Sequence, residues 1–232
     1  MDGKMFIFPK ETNTAHVILK PTVTKPLQKV SVCLNSYTDL SRRYSLFSIA
    51  TPGKDNAFLI YPEPPNICSI YINQAISNIR IDPGSLGWMN LCVTWDSNTG
   101  EVHLWINGRH YPGGVLMKGT SIAAEASILL GQDQDTFGGG FDASQSFVGE
   151  ISDVNMWDKV LTPEDIQKAI SGDLHGNLII WKSLVYEIKG DVLVQEKLQL
   201  PSASSSNVYI RLIVTISIIP GSSSVTGIIM VR

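Results

Sequence analysis

Three segments of the chain alternate apolar and polar residues with a period of two, and no other feature limits the fold as sharply. Val30, Val32 and Leu34 share one face of residues 28–37, Leu91, Val93 and Trp95 share one face of 88–95, and Glu101-Val-His-Leu-Trp-Ile-Asn107-Gly108 alternates again. Successive side chains of an extended strand point to opposite sides, so these segments are half-buried strands. Ser97-Asn-Thr-Gly100 and Asn107-Gly108 are turn sequences, which predicts three consecutive antiparallel strands here. Shorter apolar runs at 5–8, 15–19, 45–49, 57–61, 68–72, 126–130, 147–151 and 177–181 are separated by Pro, Gly or Asn clusters. With 19 glycines and 12 prolines the chain is punctuated too often for long helices. The expected fold class is all-β, a two-sheet sandwich or jelly roll.

One helix stands out. Thr162-Pro163-Glu164-Asp165 supplies an N-cap hydroxyl, a proline at the first helical position and acids in the first turn. The helix should run over Pro163–Ser171 with Leu161, Ile166 and Ile170 toward a sheet, and Gly172 should end it in the left-handed conformation. From Pro201 the composition shifts to serine clusters around two β-branched runs, so 1–200 is read as one domain and 201–232 as an atypical Ser-rich, partly apolar tail outside the main core. The most apolar stretch, Val208–Ile219, is about a dozen residues long and contains Arg211, too short for a spanning helix of roughly 20 residues. Met1–Pro9 lacks the apolar region and cleavage site of a secretory signal, so the chain as written reads as mature, truncated or intracellular.

Eighteen basic against twenty-one acidic side chains leave a net charge of -3, which disfavours a nucleic-acid partner. His16, His103, His110 and His175 show no metal-ligand spacing, and no zinc, Walker or Gly-x-Ser-x-Gly motif is present. Cys33 and Cys92 sit mid-strand on the side opposite the apolar positions, at what look like equivalent places on neighbouring strands. Position alone leaves a disulfide and two reduced core thiols equally open. Cys68 is then the odd cysteine, expected to be a free, mostly buried thiol.

The densest polar feature is Gly131-Gln-Asp133-Gln134-Asp135-Thr-Phe-Gly-Gly-Gly-Phe-Asp142-Ala-Ser-Gln145. Three carboxylates and two amides on a glycine-rich loop are hard oxygen ligands that suit Ca²⁺ better than Mg²⁺, although the spacing is not that of an EF-hand. A solvated acidic turn would also read this way. Asp55-Asn56 could add a carboxylate and an amide from a second loop.

Cys92-Val-Thr-Trp-Asp-Ser97 resembles the pentraxin signature, and Gly131 to Gly139 with Phe141-Asp-Ala-Ser-Gln-Ser-Phe-Val-Gly-Glu150 resembles the calcium loop of that family. Phe6-Ile-Phe-Pro-Lys-Glu11, Val32-Cys-Leu-Asn-Ser-Tyr-Thr38, Lys54-Asp-Asn56 and Asn155-Met-Trp-Asp158 match as well, so the resemblance covers about residues 4–200. It implies a flattened two-sheet jelly roll with one short helix packed on a sheet, a Cys33–Cys92 disulfide and a homo-oligomeric ring, usually of five. It also implies two Ca²⁺ per subunit. Asp55, Asn56, Asp133, the Gln134 carbonyl and Asp135 would hold one ion, and Asp133, Asp135, Asp142 and Gln145 the other. Asn90 stands where the signature usually opens with histidine, and Asp133 where many members carry glutamate.

The function implied is secreted, calcium-dependent, lectin-like pattern recognition in innate immunity, without catalysis. The ligands would be phosphocholine, phosphoethanolamine or anionic polysaccharide, with complement components as further partners. Leu59, Tyr61 and Tyr71, with Gln74 nearby, would form the pocket beside the ions. Two other classes share parts of this pattern. A jelly-roll glycoside hydrolase could use Asp133 and Asp135, whose one-residue gap puts two acids on one side of a strand; a laminin-G-like adhesion module would share the sandwich with a single calcium.

Overall fold

In the computed structural model, which describes residues 1–21, 23–84 and 87–197, strands form largely where period-two patterning and turn sequences predict them. In chain order they are β1 (Lys4–Phe8), β2 (His16–Leu19), β3 (Lys29–Tyr37), β4 (Phe47–Thr51), β5 (Lys54–Glu63), β6 (Ile67–Ile72), β7 (Ala75–Arg80), β8 (Met89–Asp96), β9 (Glu101–Ile106), β10 (Arg109–Val115), β11 (Ser127–Leu130), β12 (Gly149–Trp157), β13 (Tyr186–Lys189) and β14 (Leu193–Glu196). Among the described residues one α-helix, α1 (Pro163–Ser171), lies between β12 and β13. Residues Met1–Lys197 make one compact unit. The expected tail, 201–232, and its boundary lie outside the described residues.

Two seven-stranded antiparallel sheets result, ordered β10-β9-β8-β3-β12-β1-β14 and β13-β2-β11-β4-β5-β6-β7. The inward faces meet in one apolar cluster. Val30, Val32 and Leu34 of β3 and Leu91, Val93 and Trp95 of β8 join Phe58 and Ile60 of β5 and Ile70 and Ile72 of β6 there. The period-two residues therefore line the core between the sheets, and their polar alternates face outward.

Register decides the cysteines. Cys33 of β3 stands directly opposite Cys92 of β8, and the two are disulfide-bonded across 59 residues of chain. By the chain-entropy model, closing such a loop stabilises the fold by roughly 4 kcal/mol. The bond lies on the outer face of the first sheet, where Trp105, Trp157, Leu161 and Ile166 cover it in a second, smaller cluster. α1 supplies that cover. Thr162 accepts from the Asp165 N–H, Pro163 opens the helix and Gly172 closes it at φ 82°, as its sequence requires. Ile166 is fully buried, and Ile170 packs at the cluster's edge.

The run at 177–181 departs from expectation. It forms no strand; Ile179 makes one bridge to Met156, and Trp181–Ser183 form a turn of 3₁₀-helix. The cause is local, because Asn177, Leu178 and Ile179 all aim their N–H groups at the Met156 carbonyl while the Asn155 side chain accepts from the Gly176 and Trp181 N–H groups. These backbone groups are satisfied without a neighbouring strand. Among the described residues no helix is long and apolar enough to cross a membrane; the stretch Val208–Ile219 lies outside them.

Candidate functional site

The second sheet presents its outer face to the glycine-rich loop. Because Phe58 and Ile60 point into the core, Leu59 and Tyr61 of β5 point outward, with Leu59 paired to Ser48 of β4 and to Tyr71 of β6. Leu59 and Tyr61 are nonetheless buried, so they make a floor; Tyr71 is half-buried and Gln74 exposed. Burial holds the Tyr61 and Tyr71 phenols above their ordinary value.

Gln74 is built into the site more tightly than its sequence position suggested. It turns the chain between β6 and β7 at φ 74°, donates from Nε2 to Asp55 Oδ1 at 2.5 Å and accepts from the Asn56 N–H at 2.7 Å. Its own N–H donates to the Asn56 carbonyl at 3.0 Å. The start of β5, which carries Asp55 and Asn56, is thereby clamped to the adjoining turn.

The loop that follows β11 is pinned at alternate residues. Gly131 takes φ 87°, and a Cβ there would meet the Phe8 ring at 2.3 Å, so only glycine fits. The Gln132 amide donates to the Thr12 and Ala15 carbonyls, and the Gln134 amide to the Ser48 and Ser127 carbonyls while accepting from Gly138 N–H. Fixing the 132 and 134 side chains inward turns 133 and 135 the other way, which is how a period of two outlives the strand. Gln134 therefore has only its main-chain carbonyl left for a ligand. After the glycines the chain returns; Asp142 caps the 3₁₀ turn Ala143–Gln145 by accepting from the Ser144 N–H at 2.9 Å, and Ser45 N–H holds the Gln145 carbonyl at 2.9 Å.

Asp55, Asp133, Asp135 and Asp142 are thus gathered from segments far apart in the chain, and they feel one another. Burial, then the charge of Asp135 and that of Asp55, push the Asp133 carboxyl up to about 6, against a hydrogen bond from the Gln134 N–H and the Arg43 charge. Partial desolvation raises Asp135 as well, although the residue is exposed, with Asp55 and Asp142 adding to it. Asp142 is held below the carboxylate range by its bonds to Ser144. Four oxygens at this place are buried without a hydrogen-bond partner: Asn56 Oδ1, the Tyr61 hydroxyl, Asp133 Oδ1 and Gln145 Oε1. The Gln145 amide faces the Tyr61 hydroxyl but makes no well-formed bond with it. Each orphaned polar atom costs about 1–3 kcal/mol, and an all-oxygen set with surplus negative charge fits a hard divalent cation. The carboxylates do not form a closed cage: among the described residues no three His, Cys, Asp or Glu side chains stand in metal-binding geometry.

Arg43 was not singled out from the sequence. Its guanidinium acts on Asp133, Asp142, Tyr61 and Tyr71 at once. Only the fold brings residue 43 beside the loop, through the Tyr44 N–H to Pro62 carbonyl and Ser45 N–H to Gln145 carbonyl bonds that hold the following residues.

A family model described as the Pentaxin family matches residues 4–196. A C-reactive protein of Xenopus laevis is 53% identical over 201 residues, covering 85% of this chain and 84% of that protein. The serum amyloid P-component of Cavia porcellus is 43% identical over 198 residues, covering 85% and 89%. Among solved structures, a heptameric SAP-like pentraxin from Limulus polyphemus superposes with a TM-score of 0.72 at 26% identity, covering 84% of this chain and 96% of that one.

Proposed function

This chain belongs to the pentraxin family, and from that membership we propose that it is a secreted, calcium-dependent recognition protein of innate immunity. Its ligands are phosphate-bearing or otherwise anionic, phosphoethanolamine and phosphocholine or anionic polysaccharide, and it acts as a homo-oligomeric ring that engages complement. The observation that carries the reading is the set of orphaned buried oxygens on Asn56, Asp133 and Gln145, which come from two separate segments of the chain.

Asp55, Asn56, Asp133, the Gln134 carbonyl and Asp135 would hold one calcium ion, with Asp133, Asp135, Asp142 and Gln145 holding the second. When bound, the two ions neutralise four carboxylates and offer positive charge to an anionic oxygen of the ligand. The chain does the rest. Gln74 keeps Asp55 in place, Gln132 and Gln134 keep the loop's carboxylates turned outward, and Leu59 and Tyr61 exclude water from below. Tyr71 offers a ring face to the ligand's amine, worth about 0.5–2 kcal/mol. Arg43 adds a fixed positive charge at the rim.

Retention on phosphoethanolamine resin tests the reading. Binding should require calcium and be released by chelator, by free phosphoethanolamine and by an anionic polysaccharide. Asp135→Ala should eliminate retention, while Lys182→Ala, an exposed change away from the site, should leave it intact. Equal retention in calcium and in chelator would overturn the proposal.

A further inference from the structure

The hairpin β9–β10 places two histidines on the outer surface of the first sheet, the surface that α1 covers. Val102, Leu104 and Ile106 of β9 point into the core, so His103 and Trp105 point outward. His110 pairs in register with Trp105, and Pro112 with His103, which makes the two histidines diagonal neighbours on that surface. His103 Nδ1 lies 2.9 Å from His110 Nε2. Both rings pack on Trp105, with centroids 5.7 and 4.8 Å from the indole. Together they wall a cleft of about 730 Å³ whose far side is the start of α1, including Pro163, Glu164 and Gln167.

We infer that His103 and His110 form a binding site for a divalent transition metal, separate from the acidic loop. Two neutral imidazoles at this distance share a single N–H···N bond. If the donor ring shifts its proton to its other nitrogen, both facing nitrogens offer lone pairs to one point and no proton is lost overall. Nitrogens held at about 2.0–2.1 Å from a tetrahedral ion are about 3.3 Å apart, a small ring rotation from the arrangement present. Imidazole suits copper, nickel and zinc and not calcium, so the ion favoured here differs from the one favoured by the all-oxygen loop. Glu164 lines the same cleft and places a negative charge across from the pair. No third His, Cys, Asp or Glu completes the set among the described residues. The pair is therefore a two-ligand anchor whose remaining positions are open to water or to a donor atom from a bound molecule. The sequence concealed it because His103 and His110 are seven residues apart, a spacing that means nothing until the hairpin register is known.

Calorimetric titration of the full chain with Ni²⁺ and Zn²⁺, in saturating calcium, tests the site. One equivalent should bind, nickel more tightly than zinc. His103→Gln and His110→Gln should each weaken it at least tenfold, with the calcium-dependent melting temperature unchanged to show that the variants fold. His175→Gln, an exposed histidine elsewhere, and Asp135→Ala should leave it intact. Undiminished binding in the His103→Gln/His110→Gln double variant, or no binding by the unmodified chain, would overturn the inference. Loss in Asp135→Ala would do so as well, by moving the ion to the acidic loop.

Discussion

Burial sets the chemistry of Cys68 and His16. Cys68 of β6 is fully buried, and burial with the nearby Glu63 charge pushes its thiol up to about 12. At pH 8 the thiolate is then about one part in ten thousand, and the thiolate is the reactive form. Iodoacetamide should leave the native chain unlabelled, label one cysteine in denaturant and label all three once reductant is added. Rapid labelling of the native chain would contradict the burial. His16 of β2 donates from Nδ1 to the Thr14 carbonyl at 2.8 Å and packs against Phe141, with centroids 4.7 Å apart. Burial lowers its pKa below 6.5; the Thr14 bond and Glu187 of β13 oppose this, and Lys189 of β13 reinforces it. A lowered pKa means that the unfolded chain takes up the proton first. Stability should therefore be intact above pH 6.5 and fall as pH drops through that value toward the lower folded pKa. His16→Gln should flatten the slope of melting temperature between pH 7 and 5, and an identical slope would refute the assignment.

Elements explain which parts of the molecule were legible in the sequence. Strands buried on one face announce themselves through alternation, as β3, β8 and β9 do, and α1 through its cap and first-turn acids. β7, β13 and β14 did not. Of β7 only Ile79 is fully buried, while β13 and β14 lack any buried residue, so no apolar period marks them. Likewise the loop's carboxylates were legible as a cluster, whereas the devices that aim them were not, because Gln74 reaches Asp55 across 19 residues and Gln132 reaches Thr12 across 120. Such partners depend on register, which one residue of slip would alter completely. Gln74→Ala tests the clamp. It removes no proposed metal ligand, yet Asp55 loses the Gln74 donor and the Asn56 N–H keeps only Asp55 Oδ1 of its two acceptors, so calcium affinity should fall about 10- to 100-fold, as for other supports of ligating side chains. Calcium titration with unchanged affinity would show that the clamp is incidental.

At the scale of the molecule, the two sheets put different chemistry on their two outer faces: carboxylates and tyrosines over the second sheet, the disulfide, α1 and the histidine pair over the first. A ring of subunits sharing one orientation would present each surface in many copies, converting weak single contacts into avidity. The Limulus relative is heptameric by its description, and the sequence resemblance implies five, so sedimentation of this chain in calcium should resolve one closed species of several subunits. On the proposed reading, calcium at the acidic loop would also stabilise the fold. Without metal, Asp133 is buried among like charges, and the native fold carries that repulsion while the extended unfolded chain does not. An ion that binds only the native state adds RT ln(1 + [L]/Kd), about 2.7 kcal/mol at a hundredfold excess. For a domain of this size each kcal/mol raises the melting temperature by about 2–4 °C, so one ion should give about 5–11 °C. Asp135→Ala should abolish that rise because the residue is proposed to serve both ions, and its own exposure lets the variant fold. His103→Gln/His110→Gln should retain it in full, since that pair lies over the other sheet. A melting temperature indifferent to chelator would remove the acidic loop as a calcium site.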